Sequence, residues 1–386
     1  MFRDKYPKNS KIAWLFPSLA IGNYWHPVLA GFTEVYPQTT VFTGNWPGFS
    51  PGFKDAFKVQ VVGEMSFVDT VKIQSGYNQG FIKASPAIAI ELMRFRPKVI
   101  FTSGFSIWTI FSIILKPLGG WRVVVVYDGS SPTVDYRNSK MRTILRRIIS
   151  YFTTAFVTNS QGGKTYLSEF LGAKSEKVFA RPYQVPDPVA LLKQPEPAEF
   201  DLARLQQPTF FFTGQIIPRK GLDQLLQACK ILRDRGCDNY TLLVAGDGEQ
   251  KPELEAFCQV QGLEKRVHWL GWVDYGQLGA YFRQIDVFIL PTLEDVWGMV
   301  VLEAMAFGKP ILCSKWAGAS ELIIEGENGY LFHPEDPQNI ARLMQQLIER
   351  PQLIASLGEK SQQIIAQYTP KTAVEFLTEV QSFVMN

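Results

Sequence analysis

Little in this sequence suits a protein held together by disulfides or structural metal. It has four cysteines, Cys229, Cys237, Cys258 and Cys313, all in the second half and none in a Cys-x-x-Cys pair. Histidine is equally scarce, at positions 26, 268 and 333, so no zinc-type cluster can be read. Free thiols in a reducing compartment are the expectation. No apolar run reaches the roughly 20 uninterrupted residues that a membrane span needs. The longest, 105–126, is broken by Lys116-Pro117 and Gly119-Gly120, and reads as a buried helix, a turn and a strand. The opening residues are polar and hold no apolar signal core. A cytoplasmic protein is therefore expected, unless it rests on a membrane surface. A formal net charge of +3 is too weak to make nucleic acid the main partner. No loop carries an Asp-x-Asp pair, so the sequence calls for no metal. Short internal repeats and low-complexity tracts are also missing.

A hydrophobic content of 46% against 19% charged residues describes a globular chain. At 386 residues it is too long for one ordinary core, so two domains are expected. Strand-like runs at 11–16, 40–43, 57–62, 99–102, 121–126, 156–158 and 177–180 alternate with helical stretches, among them 28–36 and 82–95. The near-continuous apolar runs suit parallel strands covered on both faces. A proline-rich stretch, 181–208, follows and reads as a linker. The rhythm then restarts, with strands at 209–212, 241–245, 267–270, 287–290 and 311–313. The helix at 222–233 has apolar positions 222, 225, 226, 229 and 232, and Asp336-Pro337 caps another. The expected fold class is α/β, with two doubly wound Rossmann-like domains facing each other across a cleft. The expected boundaries are a first Rossmann-like domain over 1–188, a linker over 189–207, a second, ligand-binding domain over 208–365, and a C-terminal helix, 366–386, returning to the first domain.

Three loops of the second half could carry chemistry, because each follows a strand. After the first come Thr213-Gly214 and then Arg219-Lys220-Gly221, where adjacent cations near a helix start could hold a diphosphate. A solvated basic turn is the plain alternative. Gly246-Asp247-Gly248 follows the second, and a lone Gly-x-Gly is often only a tight turn. The third loop carries Asp295, with Glu303 on the helix beyond it. If the intervening residues were all helical, these acids would stand roughly 12 Å apart along the axis. Two carboxylates sharing one glycosidic bond stand about 5 to 9.5 Å apart. The spacing therefore suits two ends of one long polar ligand. Taken alone, Asp295 could be a helix cap and Glu303 a surface acid.

Together these segments resemble the family 4 glycosyltransferases, which have the GT-B fold. The stretch 214–226 is similar to their G-[RQ]-x-x-x-x-K-G-x-x-x-L-[IL] segment, and 246–249 to their G-x-G loop. The stretch 295–303 is similar to their E-x7-E signature, with Glu-Ala-Met-Ala-x-Gly-x-Pro following intact. Ala317-Gly318-Ala-Ser-Glu321 and Gly326-Glu-Asn-Gly329 match the next two segments. The likeness covers roughly 209–337; the first half matches only in strand rhythm. It implies a retaining transferase that needs no added cofactor and takes a nucleotide-diphosphate sugar as donor and a saccharide or lipid-linked saccharide as acceptor. Arg219 and Lys220 would bind the diphosphate, Glu303 the ribose, and Asp295 the sugar. Gly214, Gly246, Gly298, Met299, Val300 and Glu321 would line the pocket. One departure stands out, since the first acid of the signature is Asp295 and not Glu. A binding protein without transfer activity remains the alternative from another class. A nucleotide-sugar epimerase or a phosphorylase remains the rival among enzymes.

On the acceptor side the candidates are the loop with Gly22, Asn23 and His26, and Asp128 after the strand at 121–126. His26 is either a base candidate by its ordinary pKa or structural. Asp128 is either a polar contact to a sugar or a loop cap. Finally, 140–152 reads as a basic amphipathic helix. The ordinary expectation is an apolar face on the core and a solvated basic face. The alternative is a surface seated on anionic lipid, helped by the aromatic loop 46–57.

Overall fold

The computed structural model describes residues 10–19, 24–73, 75–187 and 205–386. The chain divides into two units. One comprises Met1–Lys72, Asn78–Val185 and Pro370–Asn386; the other comprises Ile73–Tyr77 and Pro186–Thr369. Most of the expected linker lies outside the described residues.

The first unit contains β1 (Ile12–Phe16), β2 (Thr39–Thr43), β3 (Lys58–Val61), β4 (Met65–Val71), β5 (Gln79–Ala84), β6 (Val99–Ser103), β7 (Arg122–Tyr127), β8 (Ala155–Thr158) and β9 (Val178–Ala180). Seven of them form one parallel sheet in the order β3-β2-β1-β6-β7-β8-β9, and β4 and β5 pair separately as an antiparallel hairpin. Val123, Val124, Val125 and Val126 of β7 are all buried, as a strand covered on both faces requires. The strand order reverses direction between β1 and β6. The C-terminal helix Pro370–Met385 packs on the helix Trp25–Val35, and the Tyr36 hydroxyl donates to Gln381 Oε1 at 2.7 Å.

Two sequence expectations fail here. The helix expected over 82–95 is a strand, β5, followed by a turn and the shorter helix Ile88–Phe95. Pro86 disfavours helical geometry in the residue before it, so the apolar run is split between two elements. The helix Lys140–Phe152 exists, but it does not turn its apolar face to the core. Met141, Ile144, Leu145, Ile148, Tyr151 and Phe152 are all exposed, and only Ile149 and Ser150 are buried. The inward side belongs to arginines that find rings and carbonyls to pack against. Arg146 Nη1 donates to the Asp135 carbonyl at 2.9 Å and to the Tyr166 hydroxyl at 2.7 Å. The Arg142 guanidinium lies 3.8 Å from the Tyr136 ring centroid.

The second unit contains β10 (Thr209–Thr213), β11 (Thr241–Ala245), β12 (Val267–Gly271), β13 (Val287–Leu290), β14 (Ile311–Ser314) and β15 (Gly329–Phe332). They form a parallel sheet in the order β12-β11-β10-β13-β14-β15. The helix Leu222–Asp234 buries Leu222, Leu225, Leu226, Cys229 and Leu232 against this sheet, as its spacing predicts. Asp336 caps the helix Pro337–Glu349 by accepting from the Asn339 amide at 3.0 Å. The four cysteines are free thiols, three of them buried. No helix among the described residues is long and apolar enough to cross a membrane.

Candidate functional site

In an open parallel sheet, ligands gather beyond the carboxyl ends of the strands where the order reverses. In the second unit that point lies between β10 and β13, the two central neighbours. The loops that leave these two strands carry the residues singled out above. Gly221 has φ +65°, and a Cβ there would overlap the Pro291 carbonyl oxygen, so only glycine lets the β10 loop lie against the β13 loop. Gly246, after β11, sits equally close to the Gly214 carbonyl at φ +143°. Three loops therefore close into one floor.

Arg219 is buried on this floor. Its Nη1 donates to the Glu294 carbonyl at 2.8 Å, and its own carbonyl accepts from the Leu293 amide at 2.8 Å. Lys220 Nζ donates to Asp295 Oδ2 at 2.6 Å, and Arg219 Nη1 stands 4.0 Å from the same oxygen. Burial opposes ionisation of Asp295. Lys220, Arg219 and the Trp297 amide outweigh it, so the carboxyl is held below its usual value. The Asp295 backbone is pinned as well, because its carbonyl accepts from the Gly318 amide at 3.0 Å. Asp295 is not the helix cap: Gly298 occupies that position, at φ +92°.

The helix Met299–Ala306 starts there with no side-chain cap and no acid in its first turn. Its leading amides and dipole form a site for negative charge. Met299 and Val300 are half-buried in that first turn. Glu303 lies further along and is buried; desolvation pushes its carboxyl up to about 7, although a hydrogen bond with Tyr275 works the other way. Glu321 is exposed on the short helix Gly318–Leu322.

One residue here was not read from the sequence. Tyr77, in the Ile73–Tyr77 segment of this unit, places its ring 3.9 Å from the Arg219 guanidinium. Its amide donates to Glu294 Oε2 at 3.3 Å, and the Val296 amide donates to its hydroxyl at 3.4 Å. Burial first, then Asp295, keeps the phenol protonated. Glu294 is itself buried. No motif marks Tyr77, because chain distance hides its place beside Arg219. A cavity of about 750 Å³, lined by Pro208, Arg235, Asp286 and Glu349, lies away from these loops.

In the first unit, Gly22 and Asn23 lie outside the described residues. His26 is in the helix Trp25–Val35, not in a loop, and is buried. Trp46, Phe49, Phe53 and Phe57 surround its ring, and its Nδ1 accepts from the Ser50 amide at 3.0 Å. Burial lowers its pKa. The aromatic stretch 46–57 thus packs its rings on His26, as the structural alternative for this histidine expects. Asp128, after β7, accepts from the Tyr183 hydroxyl at 2.9 Å, and its carbonyl accepts from Asn159 Nδ2 at 2.9 Å. Desolvation raises its carboxyl to about 6, with bonds from Tyr183 and Gln184 opposing. It ties the end of β7 to the segment after β9.

Residues 196–364 match the family model of glycosyl transferases group 1. The chain is 33% identical over 130 residues to an uncharacterised glycosyltransferase of Methanocaldococcus jannaschii, covering 34% of this chain and 33% of the relative. It is 31% identical over 155 residues to a D-inositol 3-phosphate glycosyltransferase of Streptomyces avermitilis, covering 38% and 33%. The matches thus span about a third of these curated relatives' length. A solved structure of Anabaena HepE in complex with UDP and glucose superposes with a TM-score of 0.72 at 19% identity, covering 97% of this chain and all of that one. By fold this chain is a GT-B protein, and its residues 196–364 match the glycosyl transferases group 1.

Proposed function

We propose that this protein is a retaining glycosyltransferase of family 4, which moves a sugar from a nucleotide-diphosphate donor to a saccharide or lipid-linked saccharide. One observation carries the reading: Arg219, Lys220 and Asp295 converge beside the uncapped start of the helix Met299–Ala306, at the switch point of the second sheet. Two cations and a positive helix end suit one diphosphate. The UDP and glucose of Anabaena HepE support a uridine diphosphate sugar as the first donor to try.

The bond between the anomeric carbon and the diphosphate oxygen breaks, and charge builds on the leaving phosphates. Arg219 and Lys220 stabilise that charge, so the residues supply the cationic role without a metal. The acceptor oxygen attacks from the face that the diphosphate leaves, and its proton passes to a phosphate oxygen. The configuration is therefore retained. Phosphates take over the Lys220 ammonium and free Asp295 to orient the sugar through its hydroxyls. Glu303 accepts from the ribose hydroxyls. Gly214 and Gly246 let the ligand approach the backbone, while Gly298, Met299, Val300 and Glu321 line its path.

The test is incubation with UDP-glucose and a panel of saccharide acceptors, with the product's anomeric configuration read by proton NMR. A product with the donor's configuration supports the reading. Inversion overturns the mechanism, and tight UDP binding without any transfer replaces the enzyme with a binding protein.

A further inference from the structure

The helix Lys140–Phe152 presents an arrangement that glycosyl transfer does not use. Its apolar residues recur at 141, 144, 145, 148, 151 and 152, on one side of the helix. That side faces solvent, with Met141 78% and Tyr151 81% exposed. The neighbouring Ile114 and Leu118 are 63% and 74% exposed. Lys116 Nζ donates to the Phe152 carbonyl at 2.7 Å, which holds those residues beside the end of the helix. So wide an apolar area on a solvent face calls for a partner.

Charge says what kind. Between Asp135 and Glu169 the chain carries Arg137, Lys140, Arg142, Arg146, Arg147 and Lys164 and no acid. Between Glu91 and Asp128 it again has only basic residues, Lys116 and Arg122 among them. Burial, then Arg122 and Lys177, lowers the pKa of Lys116, so at least three cations gather at that edge. Lys140 and Arg147 stand exposed along the helix itself. A second copy of this chain would set these cations against their like. A bilayer with anionic headgroups offers both apolar depth and negative charge in one plane.

We infer that the helix Lys140–Phe152, with Ile114 and Leu118 beside it, is a docking surface for an anionic lipid bilayer. The apolar side chains enter the boundary between headgroups and acyl chains, while exposed Lys140 meets the lipid phosphates, flanked by the positive charge of Lys116 and Arg147, which also hold the Phe152 and Phe170 carbonyls. Arg142 and Arg146 have a different task, since their contacts to Tyr136, Tyr166 and the Asp135 carbonyl seat the helix with its apolar side outward.

The test is co-sedimentation with vesicles of phosphatidylcholine alone and of phosphatidylcholine mixed with phosphatidylglycerol. Binding is expected to the mixed vesicles, weakened by salt, with little to the neutral ones. The double variant Ile144→Ser/Ile148→Ser alters only exposed positions and should keep the parent Tm while losing at least about tenfold in vesicle affinity. Lys140→Glu should also weaken binding to the mixed vesicles. Equal binding to both vesicle types, no binding to either, or full binding by the double variant would overturn the inference. So would a dimer in sedimentation velocity that the double variant abolishes, because the face would then belong to a second copy. Vesicle binding needs neither donor nor acceptor, so its failure and a failure of transfer are read separately.

Discussion

Lys220 and Asp295 are 75 residues apart in sequence, yet Lys220 Nζ lies 2.6 Å from Asp295 Oδ2 in a nearly closed environment. In the proposed reaction the same ammonium binds the donor's diphosphate. On that proposal, the donor's phosphates must displace Asp295 from the ammonium.

Lys220→Ala leaves the Asp295 carboxylate buried with Arg219, 4.0 Å away, as the cation beside it. Transfer should fall at least about tenfold, on the scale of a lost charged contact. Stability should fall by about 3 kcal/mol, the range for breaking a buried pair. Denaturant unfolding and initial rates measure the two effects. An unchanged rate in folded protein would remove Lys220 from the donor site.

Glu303 sets a pH dependence. Its folded value, about 7, lies above the unfolded value of 4.5. The folded chain therefore holds this proton more tightly, and its contribution to stability is complete below pH 4.5. As pH rises towards and through 7 that contribution is lost. Glu303→Gln should flatten this part of the Tm–pH curve and stabilise the ligand-free protein above pH 7, by on the order of 3 kcal/mol. The same variant should slow transfer at least about tenfold if Glu303 holds the ribose as proposed, because that carboxylate is gone. A parallel Tm–pH curve for parent and variant would show that this group does not titrate there.

Asp295→Glu adds one methylene to the acid proposed to orient the sugar. The ratio of rates with UDP-glucose and UDP-galactose should shift, measured in competition. An unmoved ratio and an unmoved rate would place position 295 away from the sugar.

Gly221→Ala tests the loop floor. The φ of +65° strains any side chain, and the new Cβ would overlap the Pro291 carbonyl. A cost of at least about 2 kcal/mol is expected in unfolding experiments. A neutral effect would mean that the loops after β10 and β13 are not held at this separation.

The sequence by itself determined the strand rhythm, several helices and the glycine-bearing loops. These depend on local physics: apolar runs for strands buried on both faces, a 3.6-residue period for the helix Leu222–Asp234, and a capping Asp336 before Pro337. It also marked Arg219, Lys220 and Asp295, which lie in loops after strands, and Glu303 by its spacing from Asp295 and by the family resemblance. Only the tertiary structure decided that β10 and β13 are neighbours, and hence that Asp295 meets Lys220. Strand order in a parallel sheet is a non-local property that no window of sequence contains. The same holds for Tyr77 over Arg219, and for His26, which aromatic side chains enclose. The helix Lys140–Phe152 makes the point most plainly. Periodicity defines its two faces, but which one meets the protein depends on the rings and carbonyls that wait for its arginines.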